Sequence, residues 1–238
     1  MPKQKKKSAH DVFDKYIAPK IVGDTSQQTI EIFCELDYNN FYDLAKKYRL
    51  EERQVSSLIG FKDEFLVLVL ITQIIEEDNL EDSFYCKKVT ANEKSGLSAR
   101  TIKIDDKDVI LTIGGDCVIF RKSDNKPLMI IECKEYIDMI RMKELIGESR
   151  VIKDEISNSV NLLDDVTFCV FSEVLELTEG WAQLFHHSDL KHNIDEIFVI
   201  RDGKRKDKRQ KPVKENLERF KEYIRDFLAV ATRKIPLS

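Results

Sequence analysis

The chain has 238 residues, of which 42% are hydrophobic and 34% are charged, and its formal net charge is -4. This length is enough for one large or two small domains with a substantial core. No apolar run reaches the roughly 18 residues of a membrane span, and we expect no signal peptide. The acidic balance argues against a protein that coats nucleic acid through bulk charge. Five cysteines lie without metal-ligand or redox spacing, which favours reduced thiols and a cytoplasmic location: Cys34, Cys86, Cys117, Cys133 and Cys169.

The N-terminal part of the chain is predicted to be helical. Residues 11–18 and 29–48 carry apolar side chains at helical intervals, so we expect residues 1–55 to form a helical region that covers the core. The stretch from Phe65 to Ile75 is almost wholly apolar, too short for a membrane span and too long for a typical strand. It predicts a buried helix over about residues 61–77.

The rest of the chain alternates short apolar runs with helical patterns. Strands are predicted at about residues 100–104, 108–113, 116–121, 127–133, 166–171 and 196–200. Helices are predicted at residues 138–157, as a crossover between strands, and at residues 213–232, where the pattern is amphipathic. The predicted fold class is therefore α/β, with a mixed central β-sheet flanked by α-helices.

Two of these strands form a predicted hairpin that brings charged residues together. A polar turn at residues 122–127 separates the strand that opens with Asp116 from the strand that closes with Glu132 and Lys134. Antiparallel pairing places the start of the first strand beside the end of the second. Because side chains alternate along a strand, Glu132 and Lys134 share one face, and Cys133 lies on the other. The three charged side chains are therefore expected to converge.

This combination of residues suits metal-dependent phosphodiester hydrolysis. Asp116 and Glu132 offer the oxygen ligands that Mg2+ prefers, and Lys134 could orient or help to deprotonate a water and offset charge in the transition state. The alternative is that these are solvated residues at strand ends, as most charged residues are. Against it, Glu132 ends the apolar run from Leu128 to Ile131, where a buried strand tolerates a charge only with a partner or a metal.

Several further segments, taken with this pattern, resemble the type II restriction endonucleases of the PD-(D/E)XK superfamily, in particular the subunits of BbvCI and their relatives. The similarity covers about residues 55–230, with Gly115 where the superfamily often has proline. The matching segments, in chain order, are Ser57-Leu58-Ile59, Asp63-Glu64-Phe65, Asp108, Gly114-Gly115-Asp116, Ile131 to Asp138, Glu148-Ser149-Arg150, Phe168 to Leu175 and Ile194 to Arg201.

The resemblance implies a PD-(D/E)XK endonuclease domain over residues 56–238 that cuts double-stranded DNA with Mg2+. Its catalytic set would be Asp116, Glu132 and Lys134, joined by Glu64 from the predicted helix. The implied metal ligands are Asp116, Glu132, Glu64 and the backbone carbonyl of Cys133. For Glu64, an open alternative is a favourable interaction with the dipole at the start of its own helix.

The resemblance also implies partners. We expect a homodimer, since two related active sites cut both strands of a symmetric site, and a cognate DNA methyltransferase in a prokaryotic cytoplasm. The relatives read sites built around CCTNAGC, which suggests a shorter site with a CTNAG-like core. Two alternatives stay open: one subunit of a heterodimer that nicks a single strand, or a non-catalytic DNA-binding protein on the same fold.

A basic segment is the predicted contact with DNA. Residues 201–214 contain eight basic side chains against two acidic ones, and such a cluster neutralises phosphates. A second basic cluster, at residues 3–7, is more typical of a solvated tail. Histidines at positions 186, 187 and 192 with Asp189 fit a polar loop better than a zinc site. The candidate contacts are Arg150, Arg201, Lys204, Arg205, Lys206, Lys208 and Arg209.

Overall fold

The computed structural model describes residues 8–37, 39–92, 95–105, 107–154, 159–163, 165–181, 183, 193–204 and 211–233. Over these residues the protein is a mixed α/β structure in which helices flank a mixed β-sheet, as the sequence predicts. None of the helices described is long and apolar enough to cross a membrane. The predicted loop with His186, His187, Asp189 and His192, and the basic tail at residues 3–7, lie outside the described residues.

Five helices precede the first strand: α1 (Ala9–Tyr16), α2 (Ala18–Ile21), α3 (Ser26–Cys34), α4 (Asn39–Tyr48) and α5 (Glu52–Glu77). The single helix predicted at residues 29–48 is therefore wrong. The chain leaves the helical path after Cys34, and the carboxylate of Asp37 accepts a hydrogen bond of 2.9 Å from the backbone N–H of Asn39. Such a local side-chain bond competes with continuation of the helix.

Helix α5 is the central helix of the molecule. It begins at Glu52, nine residues before the predicted start, because its first two turns are mostly polar and the continuous apolar run begins only at Phe65. Its second half is mostly apolar, and it packs against α1, α3 and the central sheet. Leu66, Leu70 and Ile74 are fully buried there, whereas Thr72 is exposed. A helix with neighbours on most sides carries apolar residues around most of its surface, so its pattern is only weakly amphipathic.

Within the described part of the chain, eight strands form two sheets: β1 (Phe84–Val89), β2 (Leu97–Ile104), β3 (Lys107–Ile113), β4 (Gly115–Arg121), β5 (Pro127–Ile137), β6 (Ser159–Asn161), β7 (Thr167–Leu175) and β8 (Glu196–Val199). The larger sheet has the order β1-β4-β5-β7-β8, and β2 pairs with β3 and β6 in the smaller one. Strands β1, β4 and β5 are antiparallel, whereas β5, β7 and β8 are parallel. The predicted β4–β5 hairpin is confirmed. The sequence analysis missed β1 and β6.

Helix α6 (Met139–Lys153) makes the predicted crossover between β5 and β7, and the amphipathic α7 (Lys214–Arg233) is the last helix of the described residues. Alternation divides the hairpin side chains between two cores. Ile119 and Ile131 pack in the core with α5 and α7, whereas Val118 and Ile130 pack in the core with α6. The site described below therefore lies where helices cover both faces of one sheet.

The buried Arg100 attaches the smaller sheet to α6. From β2, its guanidinium donates to the carbonyl of Val151 at 3.0 Å and to that of Asp154, at the C-terminal end of the helix. A cation is favoured there because the helix dipole leaves partial negative charge on the last carbonyls.

A buried cluster of charges joins α5 to β7. Lys62 donates to both carboxylate oxygens of Asp63 at 2.9 Å and contacts Glu173, whose other oxygen lies 3.5 Å from Arg201. All four side chains are at most 2% exposed. Burial raises the pKa of Asp63 to about 8, although Lys62 acts in the opposite direction. Charges so deeply buried are tolerated only when they are paired.

The N-terminus of α6 depends on Asp138. Its carboxylate accepts a hydrogen bond of 2.9 Å from the backbone N–H of Arg141. We expect Asp138→Ala to lower the free energy of unfolding by about 1 kcal/mol, because that N–H loses its partner. Urea denaturation measures the loss, with Asp138→Asn as the control that retains a capping oxygen. Equal stability of the alanine and asparagine variants would contradict this role.

Candidate active site

The charged residues of the hairpin lie where its strands separate. The last paired residues of β4 and β5 at this end are Cys117 and Ile131. Asp116 and Glu132 come next on their strands, so they lie at the opening of a fork. A fork between two strands leaves backbone groups and side chains available to a ligand, because the ladder no longer uses them.

Strand β4 also has a β-bulge at this point. A single residue of β1, Lys88, lies opposite two residues of β4, Asp116 and Cys117. A bulge bends the strand and turns the bulged side chain away from the regular alternation. Gly115 precedes the bulge, and a Cβ there would come within 2.7 Å of Val118 Cγ2. The glycine is therefore a packing requirement of the bulged strand.

The carboxylate of Asp116 bridges the fork. Its Oδ2 accepts a hydrogen bond of 2.9 Å from the backbone N–H of Cys133. In an extended strand the N–H and C=O of one residue point to the same side. The carbonyl of Cys133 therefore faces the Asp116 side of β5. One carboxylate and one backbone oxygen are thus brought to the same opening.

Glu132 and Lys134 share one face of β5 and form an ion pair, as the alternation predicts. Lys134 Nζ lies 2.8 Å from Glu132 Oε2, and the two side chains are 23% and 14% exposed. Burial raises the pKa of Glu132 to about 7; Lys134 opposes this shift, and Asp116 adds to it. Burial lowers the pKa of Lys134, but Glu132 and Asp116 outweigh burial, so the net shift is upward. The charge of Asp116 therefore raises the pKa of both Glu132 and Lys134.

A second carboxylate–lysine pair lies on the other side of Asp116. Lys88 on β1 contacts Glu64 on α5, and its Nζ lies 3.5 Å from Asp116 Oδ1. Burial and the charge of Asp116 raise the pKa of Glu64, against the effect of Lys88. Lys88 was not among the residues predicted from the sequence to lie at the site. Alternation with Cys86, which packs on α5, is the signal that would have placed it.

The oxygen donors of the fork fit a hard divalent cation. Asp116, Glu132 and the Cys133 carbonyl are the ligand types that Mg2+ takes, with water filling the remaining positions. Among the described residues, however, no group of three or more Asp, Glu, His or Cys side chains is arranged to hold a metal. Glu64 in particular is engaged by Lys88. The structure therefore brings Glu64 to the site, but as the partner of a lysine.

Arg201 is not a surface residue, and its prediction as a DNA contact is wrong. Its side chain is 2% exposed and faces Glu173 in the buried cluster. Its backbone N–H also donates to the carbonyl of Glu173 at 2.9 Å, so the chain after β8 stays beside β7. Arg150 and Lys204 are exposed, and Arg150 forms an ion pair of 2.6 Å with Asp154. The remaining predicted contacts, Arg205, Lys206, Lys208 and Arg209, lie outside the described residues.

Comparison with known proteins adds a limited result. No family model matches the chain, and no curated protein matches it. Among solved structures, the chain is similar to the native BbvCI A2B2 tetramer, with a TM-score of 0.39 and 14% sequence identity. The match covers 96% of this chain and 93% of that one. The functional argument therefore depends on the site itself.

Proposed function

We propose that this protein is a type II restriction endonuclease on a PD-(D/E)XK core, and that it hydrolyses phosphodiester bonds in double-stranded DNA with Mg2+. The observation that supports this most is the fork between β4 and β5. There Asp116, Glu132 and Lys134 come together from a sequence in which they are up to eighteen positions apart. Two acids that can hold a metal ion and a lysine beside them are groups that metal-dependent phosphodiester hydrolysis can use.

Asp116, Glu132 and the carbonyl of Cys133 would hold the cation. When bound, Mg2+ polarises the scissile phosphate and lowers the pKa of a coordinated water. The N–H of Cys133 fixes one oxygen of Asp116, so this carboxylate is oriented before any ion arrives. Orientation in advance reduces the cost of assembling the site.

Lys134 has the catalytic role. Its ammonium is anchored to Glu132 at 2.8 Å and can donate to a phosphate oxygen or to the attacking water, because it has three N–H groups. Water attacks the phosphorus, the bond to the leaving sugar oxygen breaks, and the proton that the water loses passes through solvent to that oxygen. Negative charge grows on the phosphate oxygens during this step, and Lys134 offsets it.

Further parts of the proposal concern DNA and assembly. The exposed Lys204 and Arg150 remain candidate phosphate contacts, together with Arg205, Lys206, Lys208 and Arg209. We propose a homodimer, since two copies place one site on each strand of a symmetric sequence. A DNA methyltransferase that protects the same sequence completes the proposed system.

The test is cleavage of unmethylated phage DNA by the purified protein with Mg2+. We expect discrete fragments whose ends share one terminal sequence, and sequencing of those ends gives the recognition site and the stagger. A CTNAG-like core is the proposed site. EDTA should abolish cleavage. A Glu132→Gln variant purified in parallel should leave the DNA intact, which excludes a contaminating nuclease.

Other outcomes separate the alternatives. A nicked product would indicate one subunit of a heterodimeric enzyme. Intact DNA together with a shift in gel mobility would indicate a DNA-binding protein without catalysis. Fragments without a shared terminal sequence would contradict the restriction class, while leaving a metal-dependent nuclease.

A further inference from the structure

Lys88 lies between two carboxylates that come from different elements of the fold. It contacts Glu64 of α5 and lies 3.5 Å from Oδ1 of Asp116 on β4. Its position is fixed by the β-bulge, which puts Lys88 alone opposite Asp116 and Cys117. The side chain is 48% exposed, so a cation from solvent could reach the same place.

The balance of charges around Asp116 indicates the role of Lys88. Asp116, Glu132 and Glu64 contribute three negative charges when ionised, and Lys134 and Lys88 contribute two positive ones. Each lysine is held by its own glutamate, and Asp116 lies between the two pairs. Without Lys88, Glu64 and Asp116 would face each other with no cation between them. Two carboxylates from separate elements around one position are a typical ligand set for a divalent cation.

Resting on the function proposed above, we propose that the ammonium of Lys88 occupies the position of a second divalent cation. The fork then binds one metal, through Asp116, Glu132 and the Cys133 carbonyl. Lys88 supplies the second positive charge as part of the protein. In two-metal nucleases both of these positive charges come from metal ions, which lie about 4 Å apart. In this protein the second positive charge is the ammonium of Lys88, and Glu64 holds that ammonium in place.

The neighbouring Lys87 provides a matched control. It lies one position away on the same strand, but on the opposite face, where its ammonium lies 5.1 Å from the centre of the Phe120 ring. Removal of Lys87 changes the net charge of the chain by the same amount as removal of Lys88. If the Lys88 and Lys87 variants bind different numbers of ions, the cause is therefore the position of the lysine and not the total charge of the chain.

The test counts manganese ions per chain by isothermal titration calorimetry on the full-length protein. Mn2+ takes the same oxygen ligands as Mg2+. Lys88→Met and Lys88→Gln should each bind about one ion more than the wild type, a rise from about one to about two per chain. Adding Glu64→Gln to either variant should remove the extra ion. Lys87→Met should match the wild type.

The outcomes distinguish this inference from the proposed function. An unchanged ion count in both folded Lys88 variants would overturn the inference, even if the wild type cleaves DNA. An extra ion that persists in the Glu64→Gln double variant would also overturn it, since the new site would lie elsewhere. A wild type that neither binds Mn2+ nor cleaves DNA would reject the proposed function, and the inference with it.

Discussion

Replacing Lys134 with methionine should slow DNA cleavage by about 10²–10³-fold, the loss that follows removal of one group that stabilises transition-state charge. Methionine keeps a long, unbranched side chain, so the half-buried position stays filled. What disappears is the ammonium held 2.8 Å from Glu132. Mn2+ binding should persist, or even tighten, because Lys134 no longer competes for Glu132. Single-turnover cleavage and calorimetry measure the two effects separately.

Two further variants sharpen this experiment. Lys134→Arg keeps the positive charge and should retain part of the wild-type rate. The planar guanidinium does not, however, reproduce the contacts of an ammonium. Lys143→Met removes an exposed lysine of α6 whose ammonium lies 5.4 Å from the Trp181 ring, and it should cleave at close to the wild-type rate. Cleavage by Lys134→Met within about tenfold of the wild type would exclude this lysine from the chemical step.

The largest effect on stability is expected at Lys62. Its side chain is fully buried and holds both Asp63 and Glu173. Lys62→Met should lower the free energy of unfolding by about 3–5 kcal/mol, because two carboxylates would lose the cation that compensates their burial. Urea denaturation followed by circular dichroism measures the loss.

A compensated variant tests the cause. In Lys62→Met/Asp63→Leu one charge of each sign is replaced by an apolar side chain, so that Glu173 keeps its interaction with Arg201. Since apolar replacements of a buried ion pair are often neutral, the double variant should recover most of the stability that the single variant loses. A double variant as unstable as Lys62→Met would show that the lysine stem, and not its charge, is what the core requires.

The local geometry of the site could be predicted from the sequence, because it follows from alternation along one strand. Glu132 and Lys134 are two residues apart on β5, and the polar turn before Pro127 fixed the hairpin that brings Asp116 beside them. These relations involve about twenty consecutive residues. They do not depend on where the rest of the chain lies.

The part of the site that comes from other elements could not be predicted. Lys88 reaches Asp116 only because β1 pairs with β4, although β2 and β3 lie between them in the chain. Its strand was missed because two adjacent lysines interrupt the apolar alternation. Arg201 was assigned to the surface because it follows a strand and opens a basic segment. Its burial depends on Glu173, a partner 28 positions away on β7.

The bulge in β4 makes the position of Asp116 depend on how many residues the strand contains. Loss of one residue between Gly115 and Val118 would restore regular pairing with β1 and withdraw the carboxylate from Lys88. Among sequences that descend from this one, insertions and deletions between Gly115 and Val118 should therefore be rarer than substitutions. The hairpin tip at residues 122–126 is mostly exposed and can vary in length. We therefore expect a single codon inserted or deleted beside Asp116 to impair the proposed DNA cleavage, even when the codons for Asp116, Glu132 and Lys134 all remain.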